Sequence, residues 1–337
     1  MSRLRPVLTV VATALLLACP LLADPFRKEQ VSAKAKWLVH ADVKAFLASK
    51  TGAFVLEELK KKGLKAVLDN IQEAFALDMT KDLKSVTLYG SRFADHAAVI
   101  LIRATMDRDR VTELLKGNPT YRELKYAGHT VHQWTDNPES DKPGPTKFGI
   151  FHGDDLAIMA EDLPLIQEAI DVLDKKAASL GTREAPGPVP SASKDTFLTA
   201  FLTELPPIGE GKPEGIILRK IASGNLEAGE SKGRLRAQVA LTAKTAETAS
   251  NLRKVAEGVL AFIDLASPEQ EGKTPAPSAD QVVFQGKTIP AELIAVLKGV
   301  TVTVQGRTVK VGADVAGDSA TALLRRIIHP KGAGDAE

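Results

Sequence analysis

The sequence predicts an α+β fold of antiparallel sheets with amphipathic helices packed on one face. Three observations carry this: short alternating segments that meet at glycine turns, helical apolar stripes set between pairs of those segments, and a partial likeness of the second half of the chain to the first. Residues 37–40, Trp-Leu-Val-His, form the first expected strand, and Asp42 follows as N-cap of a helix carrying Val43, Phe46 and Leu47. Val55, Leu56, Leu59, Leu64, Val67, Leu68, Ile71 and Phe75 then recur at helical spacing, with Gly63 dividing two helices. The lysines on that stretch, Lys60, Lys61, Lys62 and Lys65, have Glu57 and Glu58 within a turn, as a solvated helix face does. Strands are expected at 85–89, 97–104, 121–126, 129–135, 146–151 and 155–159. Gly128 and Gly153 sit where tight reversals need positive φ, which makes two hairpins. Asp107 caps a helix with Val111, Leu114 and Leu115, and Asp162 caps another with Leu163, Ile166, Ile170 and Leu173 on one stripe.

From 177 to 195 the pattern gives way to small residues and the alternating Pro186, Pro188 and Pro190, so a first domain is placed at 24–177 and a Pro-rich linker at 178–195. The second domain, 196–330, is expected to open with a helix at 197–205 and to continue with strands at 215–221, 223–228 and 234–243. A long helix follows, its stripe of Ala249, Leu252, Val255, Val259, Phe262, Ile263 and Ala266 lying across a sheet. A loop at 267–280, a helix at 290–297, a hairpin of 301–305 with 308–313 turning at Gly306, a helix ending near Ile328 and a flexible tail at 331–337 complete the chain. Residues 151–158 match 304–311 as strand, glycine turn and return strand, and Val99-Ile-Leu101 mirrors Val239-Ala-Leu241. Duplication on this pattern implies two lobes facing each other across a groove.

The N-terminus has another character. Arg3 and Arg5 precede an apolar run over 7–17, and Ala18 and Ala23 follow; this is the layout of an export signal, with a core too short for the ~20 residues of a membrane-spanning helix. Cleavage after Ala23, with Leu21 and Ala23 at the recognised positions, makes 1–23 a signal peptide and starts the mature chain at Asp24, in the periplasm or at the cell surface. Leu16-Leu17-Ala18-Cys19 also matches a lipoprotein box, and lipid on Cys19 is the alternative that would tether the protein to a membrane. The single cysteine is Cys19, so a chain starting at Asp24 has neither disulfides nor thiolate chemistry. The leader holds two of the 44 Lys plus Arg and no acid, which leaves 42 against 42 Asp plus Glu. A body so balanced has little attraction for phosphate backbones, and nucleic acid is not an expected partner. Aromatics at 5% leave cores of Leu, Val, Ile and Ala and few platforms for sugars.

No Gly-x-Ser-x-Gly elbow, phosphate loop, dinucleotide fingerprint or His-Glu-x-x-His occurs. In His129-Thr-Val-His132, a strand segment, residues three apart point to opposite faces; the pair cannot chelate one ion, and no metal or cofactor is expected. One of these histidines should face solvent while the other packs near Trp134. His40 with Asp42 is the best pair for general acid–base work, and His152 and Asp154, near another strand end, complete the catalytic candidates. Asp154-Asp155 falls in a hairpin turn, where Gly-Asp is ordinary turn chemistry rather than a calcium site.

Lys36-Trp-Leu-Val-His-Ala-Asp42 with Phe46, Ser49 and Gly52, then Lys84-Ser-Val-Thr-Leu-Tyr-Gly90, Gly128-His-Thr-Val-His132 and Phe151-His-Gly-Asp-Asp155, resemble a group of secreted proteins of unknown function from planctomycete-type bacteria, mainly over 36–177. The resemblance implies export and an α+β fold, and supplies no catalytic residues. The function expected is that of an exported, non-catalytic binding or scaffolding protein whose partner is another protein or a small apolar ligand. A secreted hydrolase working in the inter-lobe groove near His40 and His152 is one alternative. A carrier of a lipid or other apolar ligand, which needs a deep Leu- and Val-lined cavity, is the other.

Overall fold

The computed structural model describes residues 23–140, 142–183, 195–204, 219–266, 282–284, 287–289 and 296–328. Residues 1–22, with Cys19, most of the stretch expected as a Pro-rich linker, the loop expected at 267–280 and the tail expected at 331–337 lie outside the described residues. In the first half, β1 (Trp37–Asp42) runs into α1 (Val43–Ala48), where Asp42 Oδ1 accepts the Ala45 N–H at 2.8 Å as the expected N-cap. α2 (Lys50–Leu59), a π turn (Lys60–Leu64) and α3 (Lys65–Phe75) follow, and Gly63 breaks the helix at φ 97°, where its position in the stripe predicts. Next come β2 (Leu83–Gly90), β3 (Val99–Ala104), α4 (Arg108–Lys116), β4 (Arg122–Tyr126), β5 (His129–Thr135), β6 (Thr146–His152), β7 (Leu156–Ala160) and α5 (Leu163–Leu173). The second half contributes β8 (Thr196–Leu202), β9 (Ile221–Ser231), β10 (Arg234–Ala243), α6 (Ala246–Ala266), a separate ladder of β11 (Val282–Phe284) and β12 (Lys287–Ile289), then β13 (Val300–Gln305), β14 (Thr308–Ala316) and α7 (Gly317–Ile328).

Among the described residues twelve strands form one antiparallel sheet in the order β13-β14-β10-β9-β8-β1-β2-β3-β7-β6-β5-β4. The α+β class is therefore the observed one. Outward from its centre the sheet reads β1-β2-β3-β7-β6 on one side and β8-β9-β10-β14-β13 on the other, with β5-β4 added to the first. The segments that resemble each other in sequence occupy equivalent places: 151–158 and 304–311 are the β6–β7 and β13–β14 hairpins, and 99–101 and 239–241 lie in β3 and β10. The halves do not face each other across a groove. β1 pairs with β8, Leu38 opposite Phe201, so they join edge to edge, each strand satisfying the other's backbone groups.

Other local expectations also change. Of the helix expected at 197–205, residues 197–202 belong instead to strand β8 and 205 lies outside the described residues: in Thr-Phe-Leu-Thr-Ala-Phe-Leu the buried positions are Phe197, Thr199 and Phe201, a period of two in residues that favour strands. The two strands expected between 215 and 228 are one strand from Ile221, with 215–218 outside the described residues. Of the helix expected at 290–297, only 296 and 297 fall among the described residues, and they are helical. α5 starts after Asp162, but the carboxylate makes no cap bond and lies 3.6 Å from Arg92 instead. The main core belongs to the first half, where Leu38, Val99, Leu101, Ile150 and Ile158 meet Ile166 and Ile170 of α5 and Phe26 and Val31 of the N-terminal segment. In the second half Ala243, Ala249 and Val309 are buried with Leu252, Val302 and Val311 against them, whereas Val255 of the α6 stripe is 64% exposed.

Strand register also sets up a cross-strand row. Asp42 lies opposite Ser85, Ser85 opposite Arg103, Arg103 opposite Leu156, and Leu156 opposite His152. Continuing the β5–β6 pairing of His132 with Gly149 by three places sets His129 opposite His152. Cross-strand partners share a face, so a polar band crosses one end of the sheet, interrupted by Leu156.

Candidate functional site

One end of the band is sealed. Asp24 comes down onto Asp42, Ser85 and Arg103, and every polar part of it is held. Its N–H donates to Asp42 Oδ2 at 2.6 Å, its carbonyl lies 3.2 Å from His40 Nε2, and its carboxylate takes the Ser85 hydroxyl, Arg103 Nε at 3.2 Å and Arg27 Nη2 at 2.7 Å. A carbonyl only accepts, so His40 carries its proton on Nε2, and Nδ1 takes the Thr87 hydroxyl at 2.8 Å. Burial pushes the His40 pKa down and keeps the ring neutral. The space left beside these groups is about 10 Å³, at most one water. His40 and Asp42 thus both hold the backbone of Asp24, one at its carbonyl and the other at its N–H, in a corner with no room for substrate.

The other end is open. β4 and β5 join through Ala127 and Gly128, both at positive φ, as a two-residue reversal demands, and His129 leaves that turn facing His152 at the end of β6. The two rings stack with centroids 5.3 Å apart. Asp174 arrives from the end of α5. There the Lys176 N–H donates to the Asp171 carbonyl at 2.7 Å and the Lys175 N–H to Val172 at 3.1 Å, a paired C-terminal cap that turns on Lys175 at φ 61°. Asp174 Oδ1 lies 3.2 Å from Nε2 of His129 and 3.2 Å from Nε2 of His152, and Lys176 Nζ takes Oδ2 at 2.9 Å. The three side chains keep 25%, 24% and 18% of their surface exposed. The Lys176 ammonium first, then bonds from His152 and His129, hold the Asp174 carboxyl well below the usual carboxylate range. A carboxylate at the negative end of a helix dipole is misplaced for helix stability; here the Lys176 ammonium and the two imidazole N–H groups face it.

These placements sort the sequence candidates. His40 and Asp42 belong to the sealed corner, His152 to the open one, and Asp154 to neither: it projects from the β6–β7 turn into solvent, 4.0 Å from Arg108. Asp155 turns the other way, to Arg103 and to Lys84 at 2.9 Å, so the neighbouring carboxylates do not share an ion. His129 and His132 do point to opposite faces, but neither is simply solvated nor set against Trp134: His132 is buried, stacked on Tyr121 and edge-on to Phe151, with its Nδ1 2.8 Å from the Tyr121 hydroxyl. Sequence spacing missed the pair His129 and His152, and with it Asp174. A cavity of about 420 Å³ opens beside His152, lined also by Gln30, Lys175, Ser179 and Thr182. A cavity of about 330 Å³ in the second half is lined by Asp195, Glu227, Arg236, Gln238 and Asp314, polar groups unlike the Leu and Val lining a lipid carrier needs. Among the described residues no helix is long and apolar enough to cross a membrane.

No protein-family model matches this chain, and no curated protein matches it significantly. Among solved structures it is similar to three crystal forms of TP0453, a Treponema protein. Forms III and IV align at 9% identity and form I at 8%, each with a TM-score of 0.41, covering 90% of this chain and 96% to 98% of that one.

Proposed function

We propose that the protein is an exported binding protein that holds a divalent transition-metal ion on His129, His152 and Asp174. The observation that carries this is the convergence of a ring nitrogen from each histidine and one carboxylate oxygen within 4.8 Å of one another, with both Nε2 atoms 3.2 Å from Asp174 Oδ1. A tetrahedral zinc ion with nitrogen and oxygen ligands at about 2.0–2.2 Å spaces neighbouring ligand atoms about 3.3–3.5 Å apart. The two 3.2 Å separations from Asp174 Oδ1 approach that spacing with small side-chain shifts. Imidazole nitrogens favour zinc, copper or nickel over calcium or magnesium. Binding requires each ring to move its proton from Nε2 to Nδ1, and leaves the fourth position to water or a small ligand from the cavity beside His152. Export rests on the charge and apolar pattern of residues 1–23.

Calorimetric titration of chelator-treated protein with Zn²⁺ tests the metal site. Saturable uptake of one ion per chain is expected, weakened about 100-fold in the His129→Ala, His152→Ala double variant. Wild-type protein that takes up no ion, or a double variant that binds as tightly, rules the site out.

A further inference from the structure

The sealed corner is a socket for residue 24, and its unusual member is Asp42. That carboxylate has 0% of its surface exposed. Its bonding partners are backbone N–H groups, from Asp24 at 2.6 Å and Ala45 at 2.8 Å, and among the described residues no lysine, arginine or histidine side chain bonds it. Burial pushes its carboxyl pKa up, as it does for a carboxylate that lacks a counter-charge. A buried anion without a cation is costly. The other charged and titratable groups facing the corner are already matched: Arg103 and Arg27 serve the Asp24 carboxylate, Arg103 and Lys84 serve Asp155, and His40 is neutral. Among the described residues, the atom placed to supply positive charge to Asp42 is the Asp24 nitrogen. In an uncut chain that nitrogen is a neutral amide; as a free chain terminus it is an ammonium with an ordinary pKa near 8.

We propose that the bond between Ala23 and Asp24 is hydrolysed and that the new α-ammonium of Asp24 forms a buried ion pair with Asp42, so that maturation completes the fold. Water adds to the Ala23 carbonyl carbon, the C–N bond breaks, Ala23 departs with the carboxylate, and the released proton stays on the Asp24 nitrogen as –NH₃⁺. The co-reactant is a processing peptidase that accepts small residues before the cut, and Ala23 is partly exposed. Residues after the cut are core: Phe26 is 6% exposed, Val31 0%, and the Phe26 ring packs 5.6 Å from the His40 ring. The socket therefore docks the start of the body into its centre. This rests on the export part of the functional reading and is independent of the metal site, which a zinc titration of the same samples reports separately.

Two measurements test it. Intact mass and N-terminal sequencing of the protein recovered from cells are expected to give a chain beginning at Asp24; a chain beginning with lipidated Cys19, or at any residue other than 24, overturns the proposal. Urea unfolding is then compared for chains that begin at Asp24 and chains that keep Ala23, each with Asp42 or Asp42→Asn. The variant is expected to lower the folding equilibrium constant at least about tenfold more in the chain with a free Asp24 amine, the scale of a broken buried pair. An equal effect in both backgrounds overturns the ion pair. Should Asp42→Asn fail to fold, protection of the Asp24 amine of the wild-type chain from reductive methylation decides: a protected amine supports the pair, and one modified as fast as in urea refutes it.

Discussion

The two ends of one cross-strand row carry much the same chemistry and are put to opposite uses. At one end Asp42, Ser85 and Arg103 are covered by Asp24 and have room for at most one water; at the other, His129, His152 and Asp174 have about a fifth to a quarter of their surface in solvent beside a cavity. What separates them is the cover. The N-terminal segment lies down on the first and supplies a complementary group for each atom, whereas α5 ends at the second and delivers a carboxylate at its C-terminus. Polar residue types thus do not by themselves distinguish a structural corner from a binding site; the number of their hydrogen-bonding positions left open does.

That contrast can be broken by mutation. Asp42→Ala is expected to have the largest effect, a loss of about 3 kcal/mol or more in urea unfolding, because it removes the cap of α1 and leaves the Asp24 nitrogen buried without an acceptor. At the open end the His129→Ala, His152→Ala pair should cost little stability without metal, within about 1 kcal/mol, since the groups left behind can turn to water. Equal losses at the two ends would erase the distinction. Lys175→Gly should stabilise the protein by about 1 kcal/mol in thermal unfolding by relieving a side chain at positive φ, in keeping with a cap built to aim Asp174. pH tests the buried histidines. Unfolded, His40 takes a proton near pH 6.5, whereas burial keeps it neutral to lower pH in the fold. Below that pH the unfolded chain binds more protons, so stability should fall as pH drops, with a shallower slope in His40→Gln; His132 acts in the same direction. The smallest change is expected from Lys176→Gln. Its ammonium competes with a metal for Asp174, so the variant should bind Zn²⁺ a few fold more tightly by titration while folding as before.

Much of the architecture was legible because it is written locally. Asp42 as a cap, Gly63 as a break, the hairpin turns at Gly128, Gly153 and Gly306 and the stripe of α5 each depend on residues within a turn or two. The equivalent sheet positions of β6–β7 and β13–β14 follow segments whose likeness is local in the same way. What was hidden is pairing at a distance. Seven residues rich in Phe, Leu and Thr suit a short helix or a buried strand equally, and only the edges offered by β1 and β9 settle β8 as strand. His129 and His152 meet because two hairpins and a long connection bring β5 and β6 into a particular register, and Asp174 joins them through a helix end. His40 and Asp42 stand two apart in β1, where spacing singled them out as a pair; the residue that occupies them, Asp24, comes from outside the pattern.

The pairing of β1 with β8 also sets a timetable. The first strand of the body is the middle strand of the finished sheet, and one of its two partners is encoded only after residues 43–195. A chain delivered N-terminus first can assemble β1 to β7 early, yet keeps a raw flank along Trp37–Asp42 until β8 emerges to close it. For that interval the half-made protein is a template for any extended segment nearby, including the same strand of a sister chain. Polypeptides stopped before residue 196 should accordingly clump, while those released past 202 should not.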